Sequence, residues 1–300
     1  MIPNKALSLA ALLGAATLAP VGAQADGARD WLNVPADMNF LYLYYTYTNS
    51  ETAINSPLPV EGAEVSAQVP ILRYARSFDL GGRIGGFQLI LPYAFIDAEL
   101  TGTSRSRSID GMGDITAIFI SNIYGAPALS KAEFVSWTPG TYLTGAVSLT
   151  MPTGDYDGGR LINPGKNRWA IKPQLAWGTP VGLGEWISVN GAVEFYQKND
   201  DYFGGRVLKQ DPLLTVDAHY SKNLNKALWV SADAIYSGGG ETRIDGVDQD
   251  NRQSTLRLGV SGSMNFSPTD AIAMAVTTTV AKKDYTPDTT TFQINYNKAW

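Results

Sequence analysis

The last strand of the chain constrains the fold more than any other stretch. Phe292, Ile294, Tyr296 and Trp300 alternate with Gln293, Asn295 and Asn297, and the chain ends on the aromatic Trp300. A period of two sends the apolar side chains to one face and the amides to the other, so one face can meet lipid while the other meets a wet lumen. A bacterial outer-membrane β-barrel closes in this way. A soluble sheet can carry the same alternation, so the rest of the chain has to discriminate.

The N-terminus points to export. Lys5 precedes an apolar run over residues 6–16, and Ala23-Gln24-Ala25 stands just before Asp26, which reads as a secretory signal cleaved after Ala25. The run is shorter than the ~20 residues a membrane-spanning helix needs, and no later stretch reaches that length. The expected division is a signal peptide over 1–25, a periplasmic N-terminal segment over 26–37 and a barrel over 38–300. Without Lys5 the mature chain carries 22 basic against 28 acidic residues, a net charge of −6. Nucleic acid, which calls for a basic stripe, is not an expected partner.

Cysteine is absent, although an exported chain could form disulfides. One histidine, His219, in the whole sequence argues against a dedicated zinc or haem site, and no metal or cofactor is expected. Charged residues make up only 17% of the chain, while Gly, Tyr, Trp and Thr are abundant. That profile suits strands and turns.

Alternation and turn signals together predict twelve strands, near 39–48, 64–77, 84–98, 113–123, 140–151, 167–178, 185–197, 211–221, 227–237, 253–264, 270–281 and 289–300. The fold class is therefore all-β: a transmembrane antiparallel up-and-down barrel of about twelve strands in the outer membrane of a Gram-negative bacterium. Short connections (79–83, 178–184, 221–226, 266–269) alternate with longer polar ones (49–63, 99–112, 152–166, 198–210, 238–252). Short periplasmic turns and long outer loops give this rhythm. Two connections break it: 125–139 is long where a short turn is due, and 282–288 is short for an outer loop.

Tryptophans test the map, because aromatic girdles sit at membrane interfaces. Trp31, Trp137, Trp177, Trp186, Trp229 and Trp300 fall at expected periplasmic ends and Trp169 at an outer end. Trp137, Trp177, Trp186, Trp229 and Trp300 are the expected girdle. Strand parity places Phe87, Leu89, Leu91, Tyr93 and Phe95 outward, with Trp169, Ile171, Leu175, Trp177, Leu214, Val216, Ala218, Tyr220, Leu256, Leu258, Val260 and Met264. Pro70 and its apolar neighbours blur the period in the first two strands, and a bulge is expected there.

The inward set carries the candidate chemistry: Arg168, Lys172, Glu194, Asp217, His219, Asp233 and Arg257. A symmetric turn over 178–184 would set Arg168 opposite Glu194 as a cross-strand ion pair. These charges can form a polar network that stiffens a narrow barrel or a constriction that selects solutes. Asp217, His219 and Ser231 superficially resemble a nucleophilic triad. Asp217 and His219 lie ~7 Å apart along a strand, however, and face inward, so no enzyme activity is expected. Gly111-Met112-Gly113-Asp114 lacks the following helix and Lys-Ser/Thr of a phosphate loop and reads as a turn. Asp245, Asp248 and Asp250 read as solvated loop charge, with weak cation binding the alternative.

Four segments resemble the outer-membrane proteins grouped as the MetA-pathway of phenol degradation type. They are Ser77-Phe78-Asp79-Leu80-Gly81-Gly82-Arg83 leading to Leu91-Pro92-Tyr93; the Gly111 to Asp114 turn; Pro152-Thr153-Gly154 followed by Asn163-Pro164-Gly165-Lys166-Asn167-Arg168-Trp169-Ala170-Ile171-Lys172-Pro173; and Asn199-Asp200-Asp201-Tyr202-Phe203-Gly204-Gly205 with Asp211-Pro212. The resemblance implies a barrel that passes aromatic or other hydrophobic compounds across the outer membrane, and it implies no catalytic residues. The expected function is passive uptake of small organic compounds, with a structural or adhesive barrel as the alternative and a lipid hydrolase the less favoured one. Expected partners are outer-membrane lipids, small organic solutes and the barrel-assembly machinery, which would read the C-terminal strand ending at Trp300.

Overall fold

The computed structural model describes residues 26–53, 62–283 and 286–300. The signal expected over 1–25 lies outside the described residues, as do parts of the 49–63 and 282–288 connections. Among the described residues seventeen strands run in order: β1 Asn39–Ala53, β2 Gly62–Asp79, β3 Ile84–Thr101, β4 Ser106–Met112, β5 Thr116–Tyr124, β6 Tyr142–Thr150, β7 Ala170–Gly182, β8 Glu185–Tyr196, β9 Asn199–Tyr202, β10 Arg206–Gln210, β11 Leu213–Asn223, β12 Leu228–Gly239, β13 Thr242–Ile244, β14 Val247–Asp248, β15 Gln253–Asn265, β16 Asp270–Lys282 and β17 Asp288–Ala299. A short helix, α1 (Lys131–Ser136), lies between β5 and β6.

Twelve of these strands close an antiparallel barrel. The order is β2-β1-β17-β16-β15-β12-β11-β8-β7-β6-β5-β3, and β2 pairs with β3 to close the ring. Closure leaves no strand edge to face lipid, the condition a membrane imposes on backbone hydrogen bonding. The last strand seals against the first with Leu43 opposite Tyr296 and Tyr47 opposite Phe292. Val260, Leu175, Phe95, Ile171 and Leu258 are exposed on the outer surface, as parity requires of a lipid-facing belt.

Three sequence expectations are corrected by this architecture. No bulge interrupts β1–β2, where Tyr45 faces Pro70 in an unbroken register. The period blurs because the inner wall is itself apolar there: Val65, Ala67, Val69, Ile71, Ala94 and Ile96 form one buried cluster, with Ile162 packed on it. The 99–112 connection is not all loop, since β4 extends the sheet by pairing with the upper half of β3 while β5 pairs with the lower half. Parts of 198–210 and 238–252 fold into a separate four-stranded sheet, β14-β13-β10-β9, above the barrel.

The long 125–139 connection has a structural purpose. It carries α1, capped by a reciprocal Ser130–Glu133 box, and it braces the chain before β1. Ala36 donates its N–H to Leu129 O at 2.8 Å, and Asn33 Nδ2 donates to Pro127 O at 3.0 Å.

Candidate functional site: an occluded lumen

Residues 26–37, expected in the periplasm, enter the barrel from the end that bears the short turns. They show no period of their own, and polar contacts to inward-facing wall residues hold them. The Arg29 guanidinium donates to Ser221 Oγ (2.8 Å), Asn223 Oδ1 (2.5 Å) and Gly184 O (3.0 Å), and lies 5.1 Å from the centre of the Trp229 ring. Asp26 accepts from Trp31 Nε1 at 3.0 Å and from Gln174 Nε2, while its main-chain N–H donates to Asp217 Oδ2 at 3.2 Å. Ser77, from the first resemblance segment, fixes the exit: its Oγ donates to Pro35 O at 2.7 Å and accepts from the Met38 N–H at 3.0 Å.

Between this segment and the wall lies a cavity of about 150 Å³. Tyr44, Ile71, Ile90, Ile118, Trp31 and Trp229 give it apolar and aromatic surface, and Arg73, Lys172, Gln88, Gln174, Gln293 and Asn295 give it donors and acceptors. Arg73 donates to Tyr44 Oη at 3.1 Å and lies 5.1 Å from the Tyr42 ring centre. Neither Arg73 nor the plug segment was marked as functional by sequence. The blurred alternation of β2 hid the first, and the second lacks any periodicity to read.

The seven inward candidates divide among four places. Lys172 lines the central cavity. Asp217, His219 and Asp233 form a buried patch beneath the plug, with His219 Nδ1 at 2.7 Å from Asp233 Oδ1. Arg257 lies on β15 next to a register irregularity at Leu256/Arg257. Arg168 and Glu194 belong to the outer mouth, lining a smaller cavity of about 30 Å³ with Asp114, Lys166 and Tyr196.

The expected Arg168–Glu194 ion pair is not formed. The β7–β8 register pairs Ile171 with Phe195 and Gln174 with Ala192, which brings Lys172 level with Glu194. Arg168 instead stacks 4.6 Å from the Tyr196 ring centre and donates to Gln210 Oε1, and Glu194 accepts from Tyr196 Oη at 2.9 Å. The turn is tighter than a symmetric one over 178–184, because β7 runs on to Gly182, so the pairing slides by four residues.

The outer mouth is a knot built from the other resemblance segments. Asp114 accepts from the Gly154 N–H (2.9 Å) and the Lys166 N–H (2.8 Å), Asp155 Oδ2 accepts from the Met112 N–H (2.8 Å), and Thr153 Oγ1 accepts from the Ile115 N–H (3.0 Å). Asn199, 1% exposed, donates to Tyr156 Oη and Lys166 O and accepts from Asn167 Nδ2. Burial within this knot lowers the Lys166 ammonium to about 8. Higher up, Arg243 bridges Asp211 and Asp248, and Asp245 accepts from the Val207 N–H. Asp245 and Asp248 are thus engaged within the outer sheet, and no metal-binding cluster occurs among the described residues.

Two of the five expected girdle tryptophans face the other way. Trp229 lines the lumenal cavity under Arg29, and Trp186 shares the inward parity of buried Ser188 and Asn190 and packs 6.2 Å from the buried Tyr142 ring. Trp177 and Trp300 are exposed on the outside, while Trp137 sits in the α1 connection against Phe134 at 5.5 Å. Trp31, also expected at an interface, is inside the barrel.

The Asp–His contact does not form a nucleophilic triad. Ser231 Oγ lies 2.7 Å from Asp233 Oδ1, on the carboxylate and not on the imidazole, and His219 Nε2 is buried without a partner. A triad needs the hydroxyl on the other ring nitrogen.

Comparison with known proteins agrees with the architecture. An outer membrane channel of the COG4313 group from Pseudomonas putida F1 superposes with a TM-score of 0.80 at 22% identity, over 92% of this chain and 100% of that one. The β domain of the Bordetella autotransporter BrkA matches at 0.54 and 11% identity, over 88% of this chain and 100% of that one. The transport unit of the Escherichia coli autotransporter AIDA-I matches at 0.53 and 8% identity, over 99% of each. No curated protein matches. A family model described as "Putative MetA-pathway of phenol degradation" matches residues 48–296, nearly the whole barrel, and this outer-membrane barrel therefore belongs to that family.

Proposed function

We propose that the protein is a passive channel for small organic compounds, with amphipathic or aromatic solutes as its class. The central cavity carries this reading. Its two-sided lining, aromatic rings and aliphatic side chains against Arg73, Lys172, Asp26, Asp30 and amides, suits a solute with an apolar body and a polar end. The superposition on a protein named as an outer membrane channel supports the same class. An aqueous pore for large polar solutes fits less well, because the plug and the outer knot both narrow the path.

Hydrolysis of lipid is disfavoured by geometry. Ser231 stands on the wrong partner, and the Asp233–His219 pair faces the lumen and not the lipid. Assembly would use the C-terminal strand, whose exposed Trp300 the assembly machinery would read.

The test is solute flux in proteoliposomes, with benzoate as an aromatic anion and a sugar of similar size as the polar control. Benzoate is expected to enter faster than through protein-free vesicles, and Lys172→Ala is expected to slow it several-fold. Benzoate flux equal to that of protein-free vesicles would leave a purely structural barrel.

A further inference from the structure

The main-chain nitrogen of Asp26 sits 3.2 Å from Asp217 Oδ2, inside the barrel. Asp217 is 4% exposed, and its second oxygen, Oδ1, is buried without a partner. A backbone amide has one N–H to give and no charge. A protonated amine has three, with a full positive charge, which is what a buried carboxylate with an unfilled oxygen requires.

We propose that cleavage between Ala25 and Asp26 creates a new α-ammonium that Asp217 binds within the lumen, so that export processing fastens the plug. In the cleavage step a signal peptidase adds water across the Ala25–Asp26 amide. The C–N bond breaks, Ala25 leaves with the carboxyl group, and the freed Asp26 amine takes up a proton at neutral pH.

The surrounding contacts suit a seat for that end of the chain. The Asp26 carboxylate is held by Trp31 Nε1 and Gln174 Nε2, which aims the nitrogen at Asp217. Three residues on, Arg29 is fixed by Ser221, Asn223 and Gly184. Ser221 and Asp217 lie on the inward face of the same strand, so one wall grips both points. The latch goes beyond the transport reading and stands whether or not solutes cross the barrel.

The experiment is intact-mass analysis of protein purified from outer membranes, followed by labelling with an amine-selective acylating reagent. The mature mass is expected to begin at Asp26. In the folded barrel the α-amine is expected to label slower than in the urea-unfolded chain by about tenfold or more, the factor a one-unit rise in its pKa would give. Asp217→Asn keeps the shape and removes the charge, so this protection is expected to disappear there while the exposed Lys131 labels as before.

A mature chain that starts elsewhere, or an α-amine that labels equally fast folded and unfolded, would overturn the proposal. Protection that persists in folded Asp217→Asn would overturn the assignment to Asp217. Should that variant not fold, the mass and the folded-to-unfolded ratio in the wild-type chain decide the question.

Discussion

Arg29 illustrates how much of the lumen rests on single side chains. Its planar fork reaches a hydroxyl, an amide oxygen and a backbone carbonyl together while its face covers Trp229, a combination lysine cannot reproduce. Bonds from a charged donor are worth about 1.5–3 kcal/mol each in favourable cases. Arg29→Ala should therefore loosen the plug by on the order of 3 kcal/mol, after discounting for water that refills the site. Planar-bilayer recordings are expected to show more frequent open events, with Arg29→Lys intermediate; recordings identical to wild type would mean the segment is held elsewhere. Asp233 makes a second residue-scale prediction. Removing it strands a buried imidazole, so Asp233→Ala should cost about 3–5 kcal/mol, read as an earlier loss of heat-modifiable gel mobility. The sequence marked Asp233 and His219 as inward through parity, but their bond links two strands and only the observed register, His219 opposite Asp233, discloses it.

At the scale of elements, the strands were legible because a membrane barrel must repeat one pattern everywhere. Lipid fixes one face and the lumen the other, so period two survives in β7, β11 and β15 without tertiary knowledge. The loop over 151–169 was legible as a motif but not as a place. Its polar residues resemble any outer loop until Asp114 and Asn199 are seen to bind it into the mouth. Gly154 and Gly165 allow that fold, since a Cβ added at either would come within 2.9 Å of the other's backbone. Gly165→Ala should push the loop outward and raise conductance; an unchanged pore would show that the knot does not limit it. Lys166 adds a pH dependence. Its folded pKa, about 8, lies below the ordinary lysine value, so the unfolded chain binds more protons between about 8 and 10.4 and stability rises with pH across that window. Below it the buried charge opposes the knot in full. As pH passes 8 the mouth loses a positive charge, and ion selectivity is expected to shift toward cations; Lys166→Gln should abolish the shift in reversal-potential measurements.

The barrel is narrowed at both ends by different parts of one chain. The diameter of a barrel grows with its strand number, so twelve strands fall between the side-chain-filled interior of about eight and the aqueous channel of about sixteen to eighteen. The chain uses that intermediate room for its own N-terminal segment. The wall that grips the segment is polar at Gln174, Asp217 and Ser221, so taking the segment away should expose there a surface that water can fill without collapse. Deleting residues 26–34 while keeping residues 1–25 is thus expected to leave a folded barrel with larger conductance steps. The outer knot would still stand in the path, however. Two constrictions in series behave as resistances in series, so relieving either alone leaves the other limiting, and relieving both should yield more than the sum of the single gains. The decisive comparison is therefore four proteins in one bilayer experiment: wild type, the deletion, Gly165→Ala, and the two combined. A combined gain equal to the sum would place the two blocks on separate routes. A deletion indistinguishable from wild type would mean that ions never pass the plug, and that the route through this barrel does not follow its axis.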